Sequence, residues 1–316
     1  MPLAPGTRLG PYEIVAPLGA GGMGEVYRGR DTRLERTVAI KVLPEHLSSD
    51  PLFRERFERE ARAVASLQHP NICQLHDIGR HEEIDFLVME YLEGETLHAR
   101  LQRALMPLDQ VLRYGVQIAE AVAYAHERGV LHRDLKSLNV MITREGRAKL
   151  LDFGLAVPFR PEVVGEATRS QASLETDGGI AGTLPYMAPE VLQGEPADAR
   201  SELWSLGVLL YEMAGGSLPF RGRTGIALTS AILQESPPPL PALVPAALRS
   251  VIARLLGKEP GQRYRQAGEV RAALEAVQEA ASTGAAPVAV PPHRRRLPVW
   301  VAAGAEIGRA SCRERV

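Results

Sequence analysis

The chemistry in this chain concentrates between His132 and Asn139, where Arg133, Asp134, Lys136 and Asn139 fall within eight residues. Apolar residues flank the run, Val130 and Leu131 before it and Val140 and Ile142 after it, so the backbone can be buried while the polar side chains face one cleft. A polar turn between two strands would need no such set. Phosphoryl transfer does: it asks for a carboxylate near the attacking hydroxyl, a cation at the γ-phosphate and a ligand for magnesium. Asp134, Lys136 and Asn139 are those three groups.

The elements that must position them can be read on both sides. Tyr12 to Leu18 reads as a strand, Gly19-Ala20-Gly21-Gly22-Met23-Gly24 follows, and Glu25 to Arg30 alternates as a second strand. A dinucleotide-binding turn would open a helix after its last glycine. Here a strand follows, so a hairpin covering phosphates is expected. Thr37 to Leu43 is a β-rich run with Lys41 on the same face as the small Ala39. Asp50-Pro51 starts a helix that places Phe53, Phe57, Val64 and Leu67 on one face, with Glu60 on that same stripe. A carboxylate on an apolar face needs a cation, and Lys41 is the expected partner.

Further along, strands are expected at Cys73–Leu75 and Phe86–Met89, broken by His81 to Asp85, with Cys73 as a buried thiol. Leu108 to Glu127 carries a helical pattern ended by Gly129 and feeds into the polar loop. Lys149 to Leu151 is a short strand that delivers Asp152 ahead of Phe153-Gly154. Residues 155–181 hold two prolines and the hydroxyls of Thr168, Ser170, Ser173 and Thr176, the composition of a loop. Ser201 to Met213 is apolar nearly all round and should be a buried central helix.

Composition narrows the class without naming a partner. At 316 residues the chain exceeds a single core, and a net charge of -1 carries no nucleic-acid footprint. Cys73 and Cys312 are the sole cysteines, which excludes a disulfide framework and fits a reducing, cytoplasmic setting. The first residues lack the charged start and apolar run of a signal peptide.

His132-Arg133-Asp134-Leu135-Lys136-Ser137-Leu138-Asn139, the glycine hairpin, Val38-Ala39-Ile40-Lys41, Asp152-Phe153-Gly154 and Ala188-Pro189-Glu190, in that arrangement, resemble the serine/threonine protein kinase family in its bacterial, eukaryotic-like branch. The resemblance implies an α+β, two-lobed kinase fold over residues 12–277, with a small antiparallel β-sheet lobe carrying one helix at 12–92 and a larger, mostly helical lobe at 93–277. ATP would lie between the lobes, with Mg2+ (or Mn2+) held by Asn139 and Asp152. Asp134 would orient and deprotonate the acceptor hydroxyl, Lys136 would neutralise the γ-phosphate, and Lys41, paired with Glu60, would hold the α- and β-phosphates. The cofactor pocket implied comprises Leu18, Gly19, Ala20, Gly21, Gly22, Met23, Gly24, Val26, Ala39, Lys41, Met89, Glu90, Leu92 and Met141. Gly182 to Glu190 resembles the segment that seats a protein substrate, which speaks against a small-molecule kinase; Thr183 would bridge Asp134 and Lys136, and Glu190 would pair with Arg263. Two positions depart from the family pattern: Glu202 stands where aspartate usually anchors the loop backbone, and Ser137 where proline is common. An inactive, nucleotide-gated scaffold is the alternative.

Thr176 is the expected switch residue, with Ser173, Ser170 and Thr168 as further candidate sites for autophosphorylation between self-associating copies, and Arg133 as the cation a phosphate would meet. After a linker at 278–296 ending in His293-Arg294-Arg295-Arg296, residues 297–305 read as the start of a membrane span, short of the roughly 20 residues needed. Residues 306–316, back-translated, resemble a sequencing-library adapter read in frame, and the expectation is that they are an artefact. A longer, single-pass membrane protein with its kinase domain in the cytoplasm is the expectation.

Overall fold

The computed structural model of the chain describes residues 2–21, 24–44, 51–153 and 180–283. Gly22, Met23, Asp50, Thr168, Ser170, Ser173, Thr176, Cys312 and the whole tail from residue 284 lie outside them.

A six-stranded antiparallel sheet forms from β1 (Arg8–Leu9), β2 (Tyr12–Gly21), β3 (Gly24–Asp31), β4 (Arg36–Val42), β5 (Leu75–His81) and β6 (Ile84–Glu90), in the order β1-β2-β3-β4-β6-β5. Alternation in the sequence decides its two faces. Ile14, Tyr27, Val38, Ile40, Phe86 and Val88 form a closed cluster on one side. Register places Val26 opposite Lys41, Lys41 opposite Leu87 and Ala39 opposite Met89, so these residues share the other side. Helix α1 (Pro51–Ala65) buries Phe57, Ala61 and Val64.

Two expectations of strand position need correction. Cys73 precedes the sheet, its backbone N–H donating to the Leu150 carbonyl at 2.8 Å, and β5 begins at Leu75. The break expected across His81 to Asp85 is only a two-residue turn: Arg80 pairs with Asp85 and His81 with Ile84, and Glu82 takes φ 54°. Polar side chains there belong to a hairpin tip, with Arg80 reaching Glu83 at 3.0 Å.

The second lobe begins with a small sheet of β7 (Gly94–Thr96), β8 (Val140–Thr143) and β9 (Ala148–Leu150). Its longer helices are α2 (Leu97–Arg103), α3 (Leu108–His126), α4 (Ala199–Gly215), α5 (Gly225–Gln234), α6 (Ala246–Leu255) and α7 (Ala267–Thr283), with short helical segments at Ile180–Thr183, Leu184–Tyr186 and Pro189–Leu192 between α3 and α4. As expected, Gly129 ends the α3 turn with φ 71°, while Val130 N–H reaches back to Ala125 at 3.0 Å. Helix α4 opens with a reciprocal cap between Asp198 and Ser201, both bonds 2.8 Å. Its Leu203, Trp204, Leu206, Val208, Leu209 and Leu210 are all 0% exposed. Each such side chain contributes about 2 kcal/mol through burial, which makes this helix the fixed post of the lobe.

Candidate active site

The polar loop between α3 and β8 is held from beneath by α4. Arg133 takes φ 63°, a left-handed backbone that costs a non-glycine residue of order 1–3 kcal/mol. Glu202, buried on α4, offsets that cost by accepting the Arg133 N–H through one oxygen. Its other oxygen lies 2.6 Å from His126 Nε2, at the end of α3. The longer glutamate therefore still reaches the loop backbone.

Above this anchor the reactive groups converge. Asn139 Nδ2 donates to the Asp134 carbonyl and to Asp134 Oδ2, both at 2.8 Å. Lys136 Nζ lies 2.9 Å from Asp134 Oδ2 and donates to Thr183 Oγ1 at 2.8 Å, while Thr183 donates to Asp134 Oδ1 at 2.9 Å. Both carboxylate oxygens are thereby oriented in a cluster whose Asp134 and Lys136 are each 5% exposed. Fixed groups in a protected site need little reorganisation when charge moves, which is the source of electrostatic catalysis. The two Nδ2 bonds also fix the Asn139 amide, so Oδ1 is the atom it could offer a cation.

The nucleotide side is arranged differently from expectation. Lys41 Nζ pairs with Asp152 Oδ1 at 3.0 Å, and Glu60 pairs with Arg133 at 2.7 Å. No Lys41 to Glu60 pair forms among the described residues. The reason is electrostatic choice: a nearly buried ammonium needs a carboxylate, and Asp152, whose backbone turns into the cleft at φ 54°, meets it first. Arg133, its N–H tied to Glu202, then takes Glu60. Phe153, 2% exposed, lies against the His132 ring with centroids 4.5 Å apart.

Around Lys41, β2 and β3 form the expected hairpin, Gly19 opposite Val26, Ala20 opposite Glu25 and Gly21 opposite Gly24. Gly24 has φ 112°, and a Cβ there would sit 2.0 Å from the Val42 carbonyl oxygen, so only glycine fits. Leu18 lies half exposed in the same hairpin. Glu90 ends β6, its N–H bonded to Gln74 at 2.9 Å, and Leu92 and Met141 are half-buried beyond it. The Glu90 carboxylate grips Lys149 Nζ at 2.7 Å through each oxygen, tying the end of β6 to β9. Cys73 Sγ lies 3.6 Å from the Glu90 carbonyl, and burial pushes this thiol up to about 12.

The following segment is anchored at both ends. Thr183 meets the polar loop, and Glu190 receives two bonds from the fully buried Arg263 guanidinium at 2.6 and 2.7 Å, as expected. Sequence reasoning missed His126, Lys149, Tyr186 and Glu212. Only the last turn of α3 hinted at His126, and nothing in spacing pointed to the others.

An antiparallel sheet with one helix, set on a helical lobe with this loop at their junction, is the architecture of a protein kinase. A protein kinase domain model matches residues 12–276, and the chain belongs to that family. It is 39% identical over 286 residues to a probable serine/threonine-protein kinase of Streptomyces coelicolor, covering 87% of this chain and 41% of that protein. To the serine/threonine-protein kinase PknA of Mycobacterium tuberculosis it is 38% identical over 304 residues, covering 94% of this chain and 68% of the relative. A crystal structure of the M. tuberculosis PknI kinase domain matches with TM-score 0.68 and 31% identity, over 88% of this chain and 99% of that one. The chain spans about two fifths of the Streptomyces relative's length.

Proposed function

We propose that the chain transfers the γ-phosphate of ATP to serine or threonine hydroxyls of proteins. The observation that carries this reading is the closed cluster of Asp134, Lys136, Asn139 and Thr183. Asp134 Oδ1, now meeting the Thr183 hydroxyl, would accept a hydrogen bond from an acceptor hydroxyl and then its proton. Lys136, on the other carboxylate oxygen, can turn toward the transferred phosphate and offset its charge. Lys41 would hold the α- and β-phosphates beneath the glycine hairpin, and the β6 end at Glu90 would take the adenine between Ala39, Val26 and Met141. Asn139 Oδ1 and the Asp152 carboxylate are hard oxygen donors that suit Mg2+ or Mn2+. Bound there, the cation would neutralise charge on the phosphates.

Finer features of the proposal rest on sequence alone. Autophosphorylation would fall on Thr176 or on Ser173, Ser170 and Thr168, and the basic-then-apolar pattern at 293–305 supports membrane attachment. Among the described residues no helix is long and apolar enough to cross a membrane.

One observation favours a nucleotide-gated scaffold instead: Lys41 is engaged by Asp152 rather than Glu60. Incubation of the full chain with labelled ATP, Mg2+ and histone, followed by phosphosite mapping, separates the two. Label on serine or threonine supports the kinase; ATP binding without label supports the scaffold.

A further inference from the structure

Beneath the loop lies a second polar cluster that phosphoryl transfer itself does not use. Ser137, 1% exposed, places its hydroxyl 2.9 Å from the Tyr186 hydroxyl, 3.4 Å from Glu212 Oε1 and 3.5 Å from His98 Nδ1. Tyr186 in turn donates to Glu212 Oε2 at 2.5 Å. These groups come from four places: the loop's 3-10 turn Ser137–Asn139, the Leu184–Tyr186 turn of the substrate-seating segment, α4 and α2. With His98 protonated at Nδ1, the hydroxyls can run in one direction, His98 to Ser137 to Tyr186 to Glu212, each accepting one bond and donating the next. The chain ends on a carboxylate, the one member that accepts only when ionised. Such buried chains polarise along their length, so each link strengthens its neighbour. Burial raises the Glu212 pKa, and the bond from Tyr186 opposes that shift.

We propose that Ser137 is a positioning residue whose hydroxyl ties the loop carrying Asp134 and Lys136 to the segment that seats the protein substrate, through Tyr186 and Glu212. The inference rests on the kinase reading and adds to it a second tether. Thr183 joins loop and segment above; Ser137 joins them below, one residue after Lys136 and by way of a side chain three residues after Thr183. With only the upper joint, the segment could tilt about Thr183, and an acceptor hydroxyl seated on it would lose its alignment with Asp134. Nucleotide contacts would be untouched, because Lys41, Asp152 and Glu90 share no bond with this cluster.

Two variants remove the hydroxyl by different routes, Ser137→Ala and Ser137→Pro. Proline suits the backbone: Lys136 is extended at φ -155° and ψ 165°, the conformation a following proline favours, and Ser137 opens its turn, where a missing N–H is tolerated. Steady-state transfer to histone by the full chain should show kcat/KM for the protein acceptor lowered about three- to tenfold in both, the range of one hydrogen bond, with KM for ATP unchanged. Ser137→Ala combined with Tyr186→Phe should cost no more than the worse single change, as members of one chain do. Wild-type kinetics in both Ser137 variants would overturn the proposal. So would losses in which KM for ATP and the melting temperature shift in step, since that marks general loosening. A wild-type chain that transfers nothing would overturn the kinase reading and this inference with it, a result distinct from an active wild type with indifferent Ser137 variants.

Discussion

The loop at Asp134 and the lysine at Lys41 are both charged sites at the junction of the lobes, yet they are held in different ways. Asp134, Lys136, Asn139 and Thr183 bond to one another, and the loop beneath them is fastened to α4, whose apolar side chains are sealed from water. Lys41 sits in a sheet, Glu60 on a helix and Asp152 after a short strand, and their pairing is a choice among carboxylates. Where a buried helix fixes the backbone, a short motif determines its own geometry. Where three elements must meet, the motif supplies the charges and tertiary position decides who pairs with whom.

The strongest way to break the first kind of site is to remove a pin. Arg263→Met leaves Glu190 with an uncompensated, largely buried charge, and the melting midpoint should report a loss of about 3–5 kcal/mol. Unchanged stability would show that the Glu190 end of the segment is not pinned. Glu202→Ala should be smaller, about 1–3 kcal/mol from the unsatisfied Arg133 N–H and His126, with turnover falling further than stability because the loop shifts. Glu202→Asp should keep most activity; a full loss there would mean the glutamate's reach is essential.

The second kind of site should respond weakly. In a double-mutant cycle read by denaturant unfolding of the nucleotide-free chain, Arg133→Gln and Glu60→Gln should couple by about 0.5 kcal/mol, as a half-exposed pair does. Lys41→Met with Glu60→Gln should show no coupling. The reverse pattern would restore the pairing expected from sequence.

Legibility in the sequence follows the same division. Asp134, Lys136 and Asn139 could be assigned from spacing and family resemblance because local backbone carries them into contact, whereas Thr183, 49 residues from Asp134, was readable from the resemblance alone. The buried character of α4 was readable from its apolar run, and the Glu190 to Arg263 pair from the resemblance. Glu60 was correctly given a need for a cation and wrongly given Lys41, since periodicity fixes a face and not a partner. The His81 to Asp85 stretch looked like a break because a two-residue hairpin tip is as polar as a loop. His126, Lys149 and Glu212 act across 76, 59 and 75 residues of chain, distances over which pattern carries no information.

On the proposed function, the loop at Asp134 performs phosphoryl transfer to a hydroxyl. Transfer of labelled γ-phosphate to histone by the full chain, compared with Asp134→Asn, tests it most directly. Labelled serine or threonine is expected, with a fall of roughly 10²–10⁴-fold in kcat for the variant, the range for removing a general base. Equal rates in the two proteins, or label on neither while ATP still binds, would contradict it.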